Sequence, residues 1–168
     1  LVKTDGVWDL KGDPTEAALL TLCTKAGVEP TVVRKKFPRR AELPFDPDMK
    51  MMGTQHDTPE GTLVYIKGAP DVMLDFCGRV YVGGDSKALD DRLHSEIQAA
   101  AKKMADAALR VLAFGVVNGA HIDGARGFSP FRGHITFVGL VGELDPPRNE
   151  VADAVKECQV AGIRPVMV

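Results

Sequence analysis

The sequence predicts an α/β domain in which short strands alternate with a few helices, and three observations carry that prediction. Apolar residues recur at three- to four-residue spacing through Leu93, Ile97, Ala100, Ala101, Met104 and Ala108, the pattern of an amphipathic helix. The runs "TLVYIKG", "RVLAFGVVN" and "ITFVGLVGEL" are rich in β-branched and aromatic residues and are separated by turn-forming stretches. At 168 residues and 45% hydrophobic content, the chain can bury one core, with room for part of a second domain.

Taken in order, "DGVWDLK" reads as a short strand. Asp13 then caps a helix with Pro14 at its first position and Glu16 at its third, and Gly27 ends it. Residues 41 to 54 read as strand, turn and strand, followed by the polar turn "QHDTPEG" and the strand "TLVYIKG", so a hairpin is the economical arrangement. Pro70 opens a short helix that Gly78 is expected to close, and "RVYV" with "GGDSKALD" makes another strand and turn. The long amphipathic helix comes next, then the strand "RVLAFGVVN", the Gly-rich basic loop "GARGFSPFRG" and the strand "ITFVGLVGEL". Asp145 to Arg148 break the chain and open a helix through Ala161, with Gly162 as its stop and "IRPVMV" as a further strand. That last strand, helix and strand look like a βαβ unit beginning. Because the chain starts on Leu1 and stops on an apolar run, it reads as a piece of something longer.

Composition narrows the function. A net charge of −2 gives no reason to expect nucleic acid or an acidic membrane surface as partner. The run "RKKFPRR" holds five positive charges in seven residues and reads as a solvated edge or loop. Cys23, Cys77 and Cys158 are odd in number and widely spaced, which suggests neither a disulfide framework nor a zinc site and fits a reducing compartment. His56, His94, His121 and His134 show no ligand spacing. There is no GxxxxGK[ST] loop, no strand-following GxGxxG, no apolar run near the ~18 residues of a membrane span and no signal peptide. "KGDPTE" taken alone is as well explained by helix capping, about 1 kcal/mol, as by a ligand.

Five phrases in series change that balance. "KGDPTEAAL", "LPFDPDMKMM", "YIKGAPDVML", "ALRVLAFG" and "ITFVGLVGELDPPRNEVADAVKECQVAGIRPVMV" together resemble the cytoplasmic nucleotide-binding region of type II P-type cation-transporting ATPases. "KGAPD" and "GELDPPR" are the most specific parts; residues 28 to 40, 78 to 92 and 119 to 133 carry no family signal. The resemblance implies a nucleotide-binding (N) domain over residues 1–134, an antiparallel sheet flanked by helices, and over 135–168 a hinge and the start of a returning, Rossmann-like phosphorylation domain. It implies ATP as ligand, with Mg2+ in the full-length enzyme, and the phosphorylation, actuator and transmembrane domains of the same chain as partners. The fragment is expected to be a monomeric cytoplasmic piece of an integral protein of the plasma or inner membrane, with no nucleic-acid partner.

The residue roles follow from the same resemblance. Phe45 would be the platform on which adenine stacks, for roughly 1–3 kcal/mol. Lys67 would reach the ligand's polar edge from the floor of an apolar pocket, and Gly68 would let the ligand approach the backbone. Glu16 would accept a hydrogen bond from the adenine amino group, and Lys50 and Arg110 would meet ribose and phosphates with charge-assisted hydrogen bonds. Many family members carry an arginine between the Phe and Lys of this segment; here Pro47 and Met49 stand there, leaving Lys50 alone on that side. Asp145 and Arg148 resemble the hinge, where a helix cap is an equal reading. The nucleophile motif "DKTGT" is absent, so the fragment is expected to hold nucleotide without completing the reaction. Calcium is the first expectation for the ion, with magnesium, sodium and the proton as the alternatives. A non-enzymatic α/β interaction domain is the alternative.

Overall fold

The computed structural model describes residues 2–4, 7–9, 13–144 and 150–166. Strands β1 (Val2–Thr4) and β2 (Val7–Asp9) pair antiparallel as a small ribbon. Helix α1 (Pro14–Lys25) starts as its sequence dictates: the Asp13 carboxylate accepts from the amides of Thr15 at 2.8 Å and Glu16 at 3.2 Å. It stops at Ala26, ahead of Gly27 at φ 74°. Helix α2 (Pro30–Lys36) and the first residues of strand β3 (Arg39–Asp46) carry the basic run, all of whose cations are exposed.

A seven-stranded sheet follows, built from β3, β4 (Met51–Thr58), β5 (Gly61–Gly68), β6 (Cys77–Val82), β7 (Asp85–Ala88), β8 (Arg110–Asn118) and β9 (Ile135–Glu143), in the order β3-β4-β5-β8-β9-β6-β7. The hairpin expected from residues 41 to 68 extends further than the sequence suggested. "QHDT" continues β4, and the turn is confined to Pro59 and Glu60. The sheet is antiparallel at every pairing except β6 with β9, which run parallel. Helix α3 (Pro70–Phe76) makes that exception possible, because it carries the chain from the end of β5 across β8 and β9 before β6 begins.

Helix α3 runs directly into β6, and Gly78 lies inside that strand rather than closing the helix. A Cβ at Gly78 would sit 2.2 Å from the Gly133 carbonyl oxygen, so the glycine is there for a close backbone approach. "DSKA" is a strand, β7, where the sequence suggested only a turn. Helix α4 (Asp91–Asp106) is the amphipathic helix expected, with Leu93 and Ile97 packed against the core. The Gly-rich basic loop between β8 and β9 is anchored. Phe128 and Phe131 are buried, and Gln55 accepts from the Ile122 amide at 2.7 Å. Helix α5 spans Val151–Val160, and residues 163–166, expected to be strand, are not.

Register divides the sheet into two faces, since antiparallel partners point the same way. Met51, Val64, Ile66, Ala113, Ile135 and Phe137 join Met73, Leu74 and Phe76 of α3 in a core with almost no exposure. Removing that much apolar surface from water, at about 25 cal/mol per Å2, is the main stabilising contribution. The opposite face bears Met52, Lys67, Leu112, Arg110 and Glu143 in register.

Candidate functional site

The site is built where the second face meets α1. Lys67, one residue before the end of β5, stands between Met52 and Phe114 on the neighbouring strands, and its side chain is only 18% exposed. Its ammonium is ion-paired with Glu16, the third residue of α1. One residue earlier in the same helical turn, the Thr15 hydroxyl accepts from Arg110 Nη1 at 2.9 Å. Two links therefore hold α1 over the strands, and both use residues from the phrases "DPTE", "KGAPD" and "ALRV". Donation from the Glu16 amide, helped by the nearby Arg110, holds the Asp13 carboxyl below the usual carboxylate range.

The far wall is the β3–β4 turn. Asp46 Oδ1 accepts from the amides of Asp48 at 2.9 Å and Met49 at 3.1 Å, winding the turn tightly enough that Lys50 adopts a left-handed φ of 48°. The Lys50 carbonyl accepts from the Ala69 amide at 3.0 Å and so ties this turn to the corner between β5 and α3. Gly68 is required by the same contact: a Cβ there would lie 2.5 Å from the Lys50 oxygen and 2.6 Å from Met51 Cγ. Its first duty is thus to seat the turn, rather than to leave space for a ligand. Phe45, just before the turn, is 61% exposed, a large ring left uncovered on the pocket wall.

These walls enclose a cavity of about 600 Å3. Glu16, Phe45, Lys50, Lys67, Gly68 and Arg110, six of the eight residues singled out in the sequence, all line it. Asp145 and Arg148 lie outside the described residues. Asp13, Thr15, Met52, Ala69, Val111 and Leu112 also line it and were not foreseen as site residues. Met52 and Leu112 had a signal, their alternation with the core positions on β4 and β8; Ala69 follows Gly68 inside the quoted "KGAPD". A smaller recess of about 190 Å3 continues beside it past Thr54 and Tyr65, sharing Glu16, Met52 and Lys67. Among the described residues, no three His, Cys, Asp or Glu side chains are grouped to hold a metal ion, and no helix is long and apolar enough to cross a membrane.

The chain is thus an α/β domain, a mixed open sheet flanked by helices, whose pocket is walled by an exposed aromatic ring, a sunken lysine and two rim cations, a lining chemically suited to a flat, anionic molecule. The match to known sequences is more specific. Residues 2–150 match the family described as P-type ATPase, cytoplasmic domain N, and the chain belongs to that family. It is 39% identical over 159 residues to the Calcium-transporting ATPase 1 of Bacillus cereus, covering 94% of this chain and 18% of that protein. Against the Calcium-transporting ATPase of Bacillus subtilis it is 36% identical over 171 residues, covering 99% of this chain and 19% of that protein. A Mycobacterium bovis protein named Probable cation-transporting ATPase F is 34% identical over 168 residues, covering 100% of this chain and 18% of that protein. The chain thus spans roughly a fifth of the length of these relatives.

Proposed function

We propose that this chain is the nucleotide-holding domain of a longer membrane protein that moves a cation, with calcium the ion first suggested by the names of its relatives. Adenine stacks on Phe45, its amino edge is read by Glu16 and Lys67, and the phosphates run toward Lys50 and Arg110. The convergence of six residues from four separate stretches of the chain on one cavity carries this reading. The phosphoryl group would pass to an aspartate in another part of the longer protein, through an aspartyl phosphate, because "DKTGT" is absent from these residues. Magnesium, expected alongside ATP, finds no ready set of ligands among the described residues.

One stacked ring and a few solvent-exposed hydrogen bonds, less the cost of association, correspond to a Kd on the order of 0.1–1 mM for ATP and ADP. Calorimetry on the wild type and Phe45→Ala tests the assignment. Near-complete loss of binding in the variant is expected, and unchanged affinity would remove Phe45 as the platform. If the wild type shows no ATP binding at several millimolar, the domain is an interaction module whose turns and caps only imitate a nucleotide site.

A further inference from the structure

Glu143 ends β9 and is paired in register with Arg110, so its side chain lies on the pocket face directly across the strand from the guanidinium. The residue is only 9% exposed, and its Oε1 is wholly shielded with no hydrogen-bond donor among the described residues. Buried carboxylate oxygens ordinarily find a donor or a cation. A cation stands across the strand, yet Arg110 donates to the Thr15 hydroxyl instead.

The charges around Glu143 explain why it is left out. Lys67 faces it from β5 and Arg110 from β8, while Asp13, the cap of α1, and Glu16, in its first turn, face it from the other side; β9 itself carries no other ionisable side chain. Lys67 is already paired with Glu16, and Arg110 lies near Asp13, so two cations meet two carboxylates before Glu143 is counted. An ionised Glu143 would be one negative charge too many in a shielded place. Burial accordingly pushes its carboxyl above the usual range, opposed by Arg110 and Lys67 and reinforced by Glu16 and Asp13.

We infer that Glu143 is a positioning residue for the nucleotide site: as the neutral acid it adds no further negative charge beside Arg110, toward which the polyphosphate runs, so ATP and a proton bind together. This rests on the nucleotide reading above. Phosphates arriving at Arg110 add negative charge beside Glu143 and raise its pKa further. The acid form therefore binds ATP more tightly than the carboxylate does. Affinity is highest below the pKa of the free domain and falls as pH rises through it, levelling once the pKa of the bound domain is passed.

The test is the ATP affinity of the wild type, Glu143→Gln and Glu143→Met from pH 5 to 8, read as the ratio of variant to wild type at each pH, which cancels the titration of ATP itself. Both variants lack the charge, so each ratio should be near one at low pH and rise to about three- to tenfold tighter binding at pH 8. Carbon-13 NMR of the Glu143 carboxyl in the wild type, with and without ATP, is the parallel readout should either variant fold poorly, and it should show a higher pKa with ATP. A flat ratio with ATP still bound, or a carboxyl titration that ATP does not move, overturns the Glu143 assignment and leaves the nucleotide reading intact. No ATP binding by the wild type at any pH overturns both.

Discussion

The two faces of the seven-stranded sheet use alternate residues of the same strands and reach opposite ends. On one face Met51, Ile66 and Ala113 are sealed beneath α3. On the other, the adjacent positions Met52, Lys67 and Leu112 line a cavity. The first face holds its one titratable thiol inert, with burial pushing Cys77 up to about 12. The second face gathers Lys67, Arg110, Glu16 and Glu143, charges that a well-packed core would exclude. The difference separates stability from recognition: the core face keeps the strands fixed, and the pocket face uses that rigidity to hold polar groups without closing over them.

Substitutions on the core face should have the largest effect. Ile66→Ala leaves a cavity in a place with no solvent access and should cost about 2–5 kcal/mol, seen as a lower midpoint in denaturant unfolding, with ATP affinity unchanged wherever the variant is folded. Its neighbour in sequence reverses the pattern. Lys67→Met keeps the buried stem and removes the charge, and should weaken ATP by about tenfold with stability nearly unaltered. If Ile66→Ala weakened ATP as much as Lys67→Met does, the faces would not be independent.

Arg110→Ala, on the exposed rim, should weaken ATP severalfold and leave adenosine unaffected, since the guanidinium is assigned to phosphates. Equal losses for both ligands would move Arg110 to the ring end of the pocket. Glu16→Gln breaks a half-exposed ion pair, a change of stability within about 1 kcal/mol, yet it should speed the reaction of Lys67 with amine-selective reagents, and ATP should suppress that reaction. The smallest effect belongs to Asp13. Its folded pKa is depressed, so its contribution to capping α1 is complete above the unfolded value near 3.8 and fades as pH falls through the lower folded value. Amide exchange at Thr15 and Glu16 should quicken only in that acid window.

The strands were legible in the sequence but their two faces were not, because "LVYI" in "TLVYIKG" is a continuous apolar run without period-two alternation. The pocket residues were legible only through the family resemblance of five phrases in series, since taken alone their places at strand ends and a helix start are as well explained by caps and turns. Elements set by contacts distant in sequence were hidden. Gly78 reads as a helix stop and is a packing glycine against Gly133, Phe128 and Phe131 sit in a loop that looks polar, and Gly68 serves the Lys50 turn. Glu143 gave no signal either, since a charge at a strand end ordinarily reaches water and only the strand register places it under α1.

The pocket face, and it alone, is proposed to receive nucleotide. An amide chemical-shift titration of the 168-residue chain with ATP tests it most directly. Saturable shifts are expected at Glu16, Phe45, Lys50, Lys67, Gly68 and Arg110, at millimolar ATP or below, with α4 and the β6–β7 hairpin unmoved. Shifts centred on α4 or the β6–β7 hairpin, or none at the Phe45 and Lys67 amides when ATP is saturating, would contradict it.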